Sequence, residues 1–337
     1  MKKILVTGSN GFMGSHLVEM LLDNGDNKVK GMVLQDTDEK NLDDAKKSKK
    51  FEIIYADLTD PPSLEHATQD IDIIYHLAAT VSDWGLKELF NKIIFEGTRN
   101  LVEAAMKNGV KRVIFMSSLA VHGLDGHVNA DEKTPYKAIP YMHYSGAKIK
   151  AEEYLLSEGV LNSIETVIVR PGFEIVGPRN VVSFYRMAEN VEKGTFGVIN
   201  GGKKLISLVY VKNLMAALIH LGNLDGASGE VYIARDVSWT WKKYLEEICS
   251  RLECKIPKLN VSYWLIAPFI LLIDFFARLF KAKNSPVLNR YRINVPRNDI
   301  DFSSQKLLDT GFKAPFTFEE GLDASISWYK KIKEERS

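Results

Sequence analysis

Cysteine is nearly absent: Cys249 and Cys254 are the only two in 337 residues, too few for a disulfide framework. They form no C-x-x-C pair and have no histidine at metal spacing, so they read as reduced thiols of an intracellular protein. The seven histidines are scattered, and no zinc or other metal site is expected. An excess of charge of one sign is missing too. Lys plus Arg number 44 against 43 Asp plus Glu, a formal net charge of +1, which gives no strong field to gather nucleic acid, so none is expected as a partner. No secretory leader is expected either, because the start Met1-Lys2-Lys3-Ile4-Leu5-Val6 is cut short by Gly8, Ser9, Asn10 and Gly11. The expected location is the cytoplasm. No low-complexity linker or solenoid-period repeat is visible. What is plentiful is apolar: 45% of residues are hydrophobic, ample for a large core at this length.

Short β-branched runs alternate with longer stretches of helical period, the pattern of a parallel sheet covered by helices on both faces. Strands are expected at 4–6, 29–34, 52–55, 71–77, 113–116 and 166–169, and helices around 63–68, 94–107 and 144–156. Met13, Leu17, Met20 and Leu21 give a first helix its buried face. The pattern predicts an α/β fold, a doubly wound parallel sheet of the Rossmann type over 1–175. After Arg170-Pro171-Gly172 the period weakens and Gly, Pro and Asn become frequent, as in loops over a cleft. A smaller C-terminal α/β substrate domain is expected from 176–204 and 236–337, with a segment near 205–235 returning to the main domain. That segment contains Val209-Tyr210-Val211 as a strand and a helix over 214–221.

Between the first strand and helix stands Thr7-Gly8-Ser9-Asn10-Gly11-Phe12-Met13-Gly14. Glycines there permit a tight turn and let backbone N–H groups at a helix N-terminus approach a pyrophosphate. Gly8, Asn10, Gly11, Phe12, Met13 and Gly14 are therefore candidate cofactor-binding residues. Asp57-Leu58, ending the third strand, can accept an adenine amino group and pack on its ring, or serve simply as a loop. In His76-Leu77-Ala78-Ala79 the small residues let the backbone pass beneath a cofactor, which adds Leu77, Ala78 and Ala79; His76 reads as structural. At the second strand's tip, Val33-Leu34-Gln35-Asp36 places Asp36 two residues late for a ribose 2′-OH. The lack of an arginine leans to NAD, while Lys40 keeps NADP open.

Tyr144-Ser145-Gly146-Ala147-Lys148 sets a phenol and an ammonium on one helical face. The ammonium is expected to lower the phenol's pKa from about 10 and to bond a nicotinamide ribose. Tyr144 then gives or takes a proton at an oxygen whose carbon exchanges hydride, and Ser118, ending the fifth strand, holds that oxygen.

The most apolar stretch covers 263–280, about a membrane span in length. Pro268 lies inside it, and Asp274 and Arg278, an i, i+4 pair, are costly in lipid. A wide apolar surface with one charged edge suits a helix packed on the second domain, a lid over an apolar pocket, or a peripheral helix lying in a membrane interface.

These motifs, with Gly97-Thr98, Ser117-Ser118 and Arg170-Pro171-Gly172, resemble the extended short-chain dehydrogenase/reductase (NAD-dependent epimerase/dehydratase) family along nearly the whole chain. The resemblance implies NAD or NADP as cofactor, with Pro171 and Gly172 among the residues beside it. It also implies a triad of Ser118, Tyr144 and Lys148, and a homodimer through the helices holding Gly97 and Tyr144. Ile94 departs from the family's asparagine three residues before Gly97-Thr98, so a proton relay runs differently here. Ile206 stands where nucleotide-sugar enzymes commonly carry a diphosphate-gripping arginine, and Ser117-Ser118-Leu119 lacks the dehydratase Thr-Asp-Glu. The pattern is similar to dihydroflavonol 4-reductases and 3β-hydroxysteroid dehydrogenases, which implies hydride transfer to or from a secondary alcohol or ketone on a hydrophobic small molecule. A nucleotide-sugar epimerase or dehydratase and a non-catalytic cofactor-binding sensor are the alternatives.

Overall fold

The structure is a computed structural model that describes residues 1–23, 25–257, 259–280, 282, 284–286 and 288–336. Its strands are β1 (Lys3–Thr7), β2 (Lys28–Val33), β3 (Phe51–Tyr55), β4 (Ile73–His76), β5 (Arg112–Met116), β6 (His127–Ala130) and β7 (Glu165–Pro171). They continue with β8 (Glu174–Val176), β9 (Val198–Ile199), β10 (Leu205–Tyr210), β11 (Glu230–Ala234), β12 (Val237–Thr240), β13 (Asn260–Val261) and β14 (Ile300–Phe302).

Seven of these form a parallel sheet in the order β11-β7-β5-β4-β1-β2-β3. Successive side chains of a strand point to opposite faces, and the two cores divide accordingly. Ile4, Val6, Ile114 and Met116 enter one, and Leu5, Val113 and Phe115 the other. Every residue of β4 and β5 is buried, which explains why these strands read as unbroken apolar runs rather than as alternations. The sheet winds outward in both directions from β1, flanked by β2 and β4. A doubly wound sheet opens its crevice at such a switch point, beyond the carboxyl ends of the strands.

The 205–235 segment divides differently from its pattern. β10 pairs with β8, β12 and β14 in a second sheet of order β12-β10-β14-β6, so this strand does not return to the main sheet. The helix Val211–Asn223 does return, packing on the helix Phe12–Asp23, and β11 joins the main sheet beside β7. A period of two identifies a strand without naming its neighbour. The helix expected over 94–107 begins earlier, at Lys87, and passes through a π-helical stretch, Asn91–Glu96, before Gly97–Lys107. Ile94 lies in that stretch.

Three buried histidines make the fold acid-sensitive. Burial lowers His16 to about 4, His76 to about 3 and His122 to about 4, against an ordinary 6.5. With a folded pKa below the unfolded one, the unfolded chain binds more protons as pH falls past 6.5. Stability is full above that value and declines toward the folded values. The thermal midpoint should fall steadily between about pH 6.5 and about pH 4. A midpoint unchanged down to about pH 5 would contradict this burial.

Candidate active site

The glycine turn follows β1 and abuts the segment after β4. Gly8 has φ +66°, and a Cβ there would lie 2.9 Å from the Ala78 Cα. A Cβ on Gly14 would lie 2.2 Å from the Gly8 carbonyl oxygen, whereas one on Gly11 would meet only that oxygen, at 3.2 Å. The turn is thus closed on the protein side and open beside Gly11. Gly11 N–H donates to Gly8 O at 3.1 Å, and Ser15 N–H to Gly11 O at 3.0 Å as the helix begins. Backbone N–H groups at a helix start beside open space form a cradle suited to a pyrophosphate. Gly14→Ala should therefore force the turn to move and weaken NADH binding about tenfold or more, since overpacking costs about 1–3 kcal/mol. An unchanged dissociation constant by calorimetry would contradict that packing.

Thr7 and His76 brace this turn. The Thr7 hydroxyl accepts from Leu77 N–H (3.2 Å) and Ala78 N–H (3.0 Å) and lies 2.8 Å from His76 Nδ1. His76 Nε2 lies 3.0 Å from the Thr98 hydroxyl, which itself donates to the Ile94 carbonyl at 2.5 Å. Donation from Thr98 to Ile94 makes Thr98 the acceptor from Nε2–H and leaves Nδ1 to accept from Thr7. Neutral His76, fully bonded, is therefore a strut between the turn and the π stretch.

The remaining cofactor candidates occupy two places. Asn10 donates from its side chain to Thr37 Oγ1 (3.1 Å) and Asp38 O (2.9 Å) and accepts from Asn41 at its carbonyl (2.9 Å), tying the turn to the loop after β2. That loop carries exposed Asp36, at φ +59°, and Lys40. Asp57 accepts Thr59 N–H at 2.7 Å, and Leu58 fills the space against Gly97, where a Cβ would approach its own Cβ to 2.8 Å. Phe12 opens the first helix with its ring edge-on to His16. Gly8, Asn10, Gly11, Phe12, Gly14, Asp36, Asp57, Leu58 and Ala78 do not line the cavity holding the tyrosine; Met13, Leu77, Ala79, Pro171 and Gly172 do, with Ser118, Tyr144 and Lys148.

That cavity measures about 160 Å³. Ser118 follows β5 and accepts Ala120 N–H at 3.2 Å, starting the short turn Leu119–His122. Tyr144 and Lys148 project from the helix His143–Leu155 and are 7% and 2% exposed. Lys148 donates to the Met116 carbonyl at 2.6 Å, with its nitrogen 4.3 Å from the Phe115 ring centre. Burial pushes the Tyr144 phenol up to about 12, against the pull of the Ser118 hydroxyl. Burial likewise draws Lys148 down to about 7, against the pull of Glu152. The phenol therefore stands above its ordinary value rather than below it, because both groups are too dry to hold charge cheaply. Tyr144 is a protonated acid at neutral pH.

Two further groups of residues shape this site. Val81, Met142, Phe173, Ile175 and Tyr291 complete the cavity wall and make it largely apolar. Behind it, one turn beyond Lys148, Glu152 is fully buried and paired with Arg170, which is 2% exposed. Arg170 donates to both carboxylate oxygens, at 3.1 and 2.5 Å; Tyr136 donates at 2.7 Å, and Ser117 adds a further hydrogen bond. This network locks the ends of β5 and β7 to the helix His143–Leu155. Its visible trace in the sequence is the continued i, i+4 spacing Tyr144, Lys148, Glu152 with Arg170 before Pro171. Among the described residues, no group of three or more His, Cys, Asp or Glu could hold a metal ion.

Residues 5–224 match the family model of the 3-beta hydroxysteroid dehydrogenase/isomerase family. The chain is 29% identical to the N-acetyl-alpha-D-glucosaminyl-diphospho-ditrans,octacis-undecaprenol 4-epimerase of Escherichia coli O157:H7, over 96% of this chain and 94% of that one. It is 26% identical to 3beta-hydroxysteroid-dehydrogenase/decarboxylase isoform 1 of Arabidopsis thaliana, over 98% of this chain and 80% of that one. Among solved structures, the UDP-N-acetylglucosamine 4-epimerase from Methanobrevibacter ruminantium M1, in complex with UDP-N-acetylmuramic acid, superposes with a TM-score of 0.76. That pair is 26% identical, with 98% of this chain and 99% of that chain covered.

Proposed function

Because the chain belongs to the 3-beta hydroxysteroid dehydrogenase/isomerase family, we propose that it transfers a hydride between a nicotinamide cofactor and a secondary alcohol or ketone on a hydrophobic molecule. The observation that carries this reading is the convergence of Ser118, Tyr144 and Lys148 on one cavity whose other wall is Val81, Met142, Phe173, Ile175 and Tyr291. The open side of the glycine turn at Gly11, with Leu77, Ala79 and Gly172, would hold NAD(P). When bound, NAD(P) gives or takes the hydride. For a ketone, Ser118 donates a hydrogen bond to the carbonyl oxygen, and Tyr144 passes its proton to that oxygen as the carbon gains hydride. The Tyr144 phenol keeps its proton at neutral pH, which is the form that reduction of a ketone requires. Lys148, next along the same face, would bond the cofactor's ribose. NAD is proposed over NADP because the tip of β2 presents Leu34 and Asp36 and no arginine. A cytoplasmic homodimer paired through the helices Gly97–Lys107 and His143–Leu155 belongs to the same proposal.

The names of two relatives, one a steroid enzyme and one acting on an undecaprenol-linked sugar, both denote molecules with a large hydrocarbon part. This supports the hydrophobic substrate and also favours a second reading, epimerisation of a lipid-linked sugar by hydride removal and return to the other face. Incubation with NADH or NADPH and a panel of steroid and terpenoid ketones, followed by nicotinamide absorbance, tests the first. Net oxidation of the cofactor on any of them supports it. No turnover there, with inversion of a sugar carbinol in a polyprenyl-diphosphate sugar, would replace it by the second.

A further inference from the structure

The helix Tyr263–Leu279 buries only a narrow stripe, Tyr263, Ala267, Ile270 and Asp274. Around it Trp264, Leu265, Phe269, Leu272, Phe275 and Phe276 are 45% to 72% exposed. The helix's two charges turn away from this face: Arg278 pairs with Asp274 at 2.7 Å, and Asp274 is buried. A helix destined for water carries the reverse arrangement, and a continuous apolar surface of this extent marks an interaction site. No helix among the described residues is long and apolar enough to cross a membrane. Along the sequence, the flanks 253–262 and 281–292 carry Lys255, Lys258, Lys281, Lys283, Arg290 and Arg292 against one acidic residue, Glu253. An apolar, aromatic face between cationic flanks is complementary to an anionic lipid surface.

The same helix and the chain that follows it are fastened to the rim of the catalytic cavity. Trp84 Nε1 donates to Ala282 O at 2.9 Å, and the Arg278 guanidinium lies 4.4 Å from the Trp84 ring centre. Asp83 accepts from Asn289 at 2.9 Å and from Arg292 at 2.7 Å. Asp83 and Trp84 share a loop with Val81, and Tyr291 stands between Arg290 and Arg292 in the sequence; Val81 and Tyr291 both line the cavity. Resting on the hydrophobic-substrate reading for its second half, we propose that the 263–280 helix lies in the interface of an anionic bilayer and sets the cavity mouth against it, so that substrate enters from the lipid.

Flotation of the full chain tests this, using vesicles of phosphatidylcholine alone and of phosphatidylcholine with phosphatidylglycerol. The expected result is flotation with the anionic vesicles, reduced about tenfold or more by Phe269→Ser, Leu272→Ser and Phe276→Ser together. NADH binding by this variant, unchanged, shows that it is folded. Changing Lys255, Lys258, Lys281 and Lys283 to Gln should abolish the preference for anionic vesicles without altering the apolar face. Reduction of a steroid ketone supplied in vesicles should fall in the serine variant, while reduction of dissolved cyclohexanone stays unchanged. Equal flotation of parent and serine variant would overturn the proposal. So would absence of flotation combined with conversion of a dimer to a monomer by the serine changes, which would make the face a contact between copies. Flotation needs no turnover, so failure of every ketone would reject the reading of the reaction and leave the docking result standing.

Discussion

Replacing Tyr144 by Phe should lower kcat/KM by about 10²–10⁴-fold, or about 3–5 kcal/mol of transition-state stabilisation, with NADH affinity held within about twofold. The change removes one oxygen from a side chain that is 7% exposed and keeps the ring that fills the space. Three hydroxyls remain among the residues lining the cavity, and that of Ser117 is engaged with Glu152. Ser118 is placed to hold the substrate oxygen but has too weak an acid to replace the phenol. The Tyr291 phenol is pushed by burial further above its ordinary value than Tyr144's, which makes it the poorer proton donor. Tyr291→Phe should accordingly act mainly on KM, through the cavity wall, and leave kcat nearly unchanged. The reverse pattern, with Tyr291→Phe inactive and Tyr144→Phe active, would assign the proton to Tyr291 instead.

Glu152→Ala should destabilise the fold by about 3–5 kcal/mol and lower the thermal midpoint on the order of 10 °C. The loss does not measure the value of an ion pair as such, because forming a buried pair costs nearly what the attraction returns. It comes from what is left behind: Arg170, 2% exposed, would keep its charge with no counter-ion. The hydroxyls of Ser117 and Tyr136 would also lose their acceptor. Glu152→Ala combined with Arg170→Met should recover much of the loss, since no charge then remains buried. Glu152 also opposes the lowering of Lys148 by burial, so Glu152→Gln should shift any lysine-dependent limb of the pH profile to lower pH. A midpoint within about 2 °C of the parent in Glu152→Ala would show the network to be dispensable.

The main sheet could be read from the chain because its inner strands are buried on both sides and so are almost wholly apolar, as at Val113 to Met116. The glycine turn was legible for a related reason: Gly14 lies where no Cβ fits, and strand, turn and helix follow one another without interruption. Tyr144 and Lys148 announced themselves through helical spacing, a local property. Features set by distant contacts were not legible. β10 chose its neighbours in the second sheet, and Tyr291 came to the cavity from a far part of the chain. The phenol's pKa was read in the wrong direction because spacing reveals a neighbouring lysine but not the dryness that weakens both charges. The 263–280 segment shows the same boundary. Its composition marked it as apolar, but only the fold shows that one stripe is covered and the aromatic face is left outside.

The most direct test of the account is transfer of deuterium from C4-deuterated NADH to a steroid ketone, followed by mass spectrometry of the alcohol in the parent and in Tyr144→Phe. The account predicts label on the carbinol carbon with the parent, and almost none with the variant although it binds NADH as tightly. Labelled alcohol formed equally by both, or no label from the parent on any ketone of the panel, would contradict it.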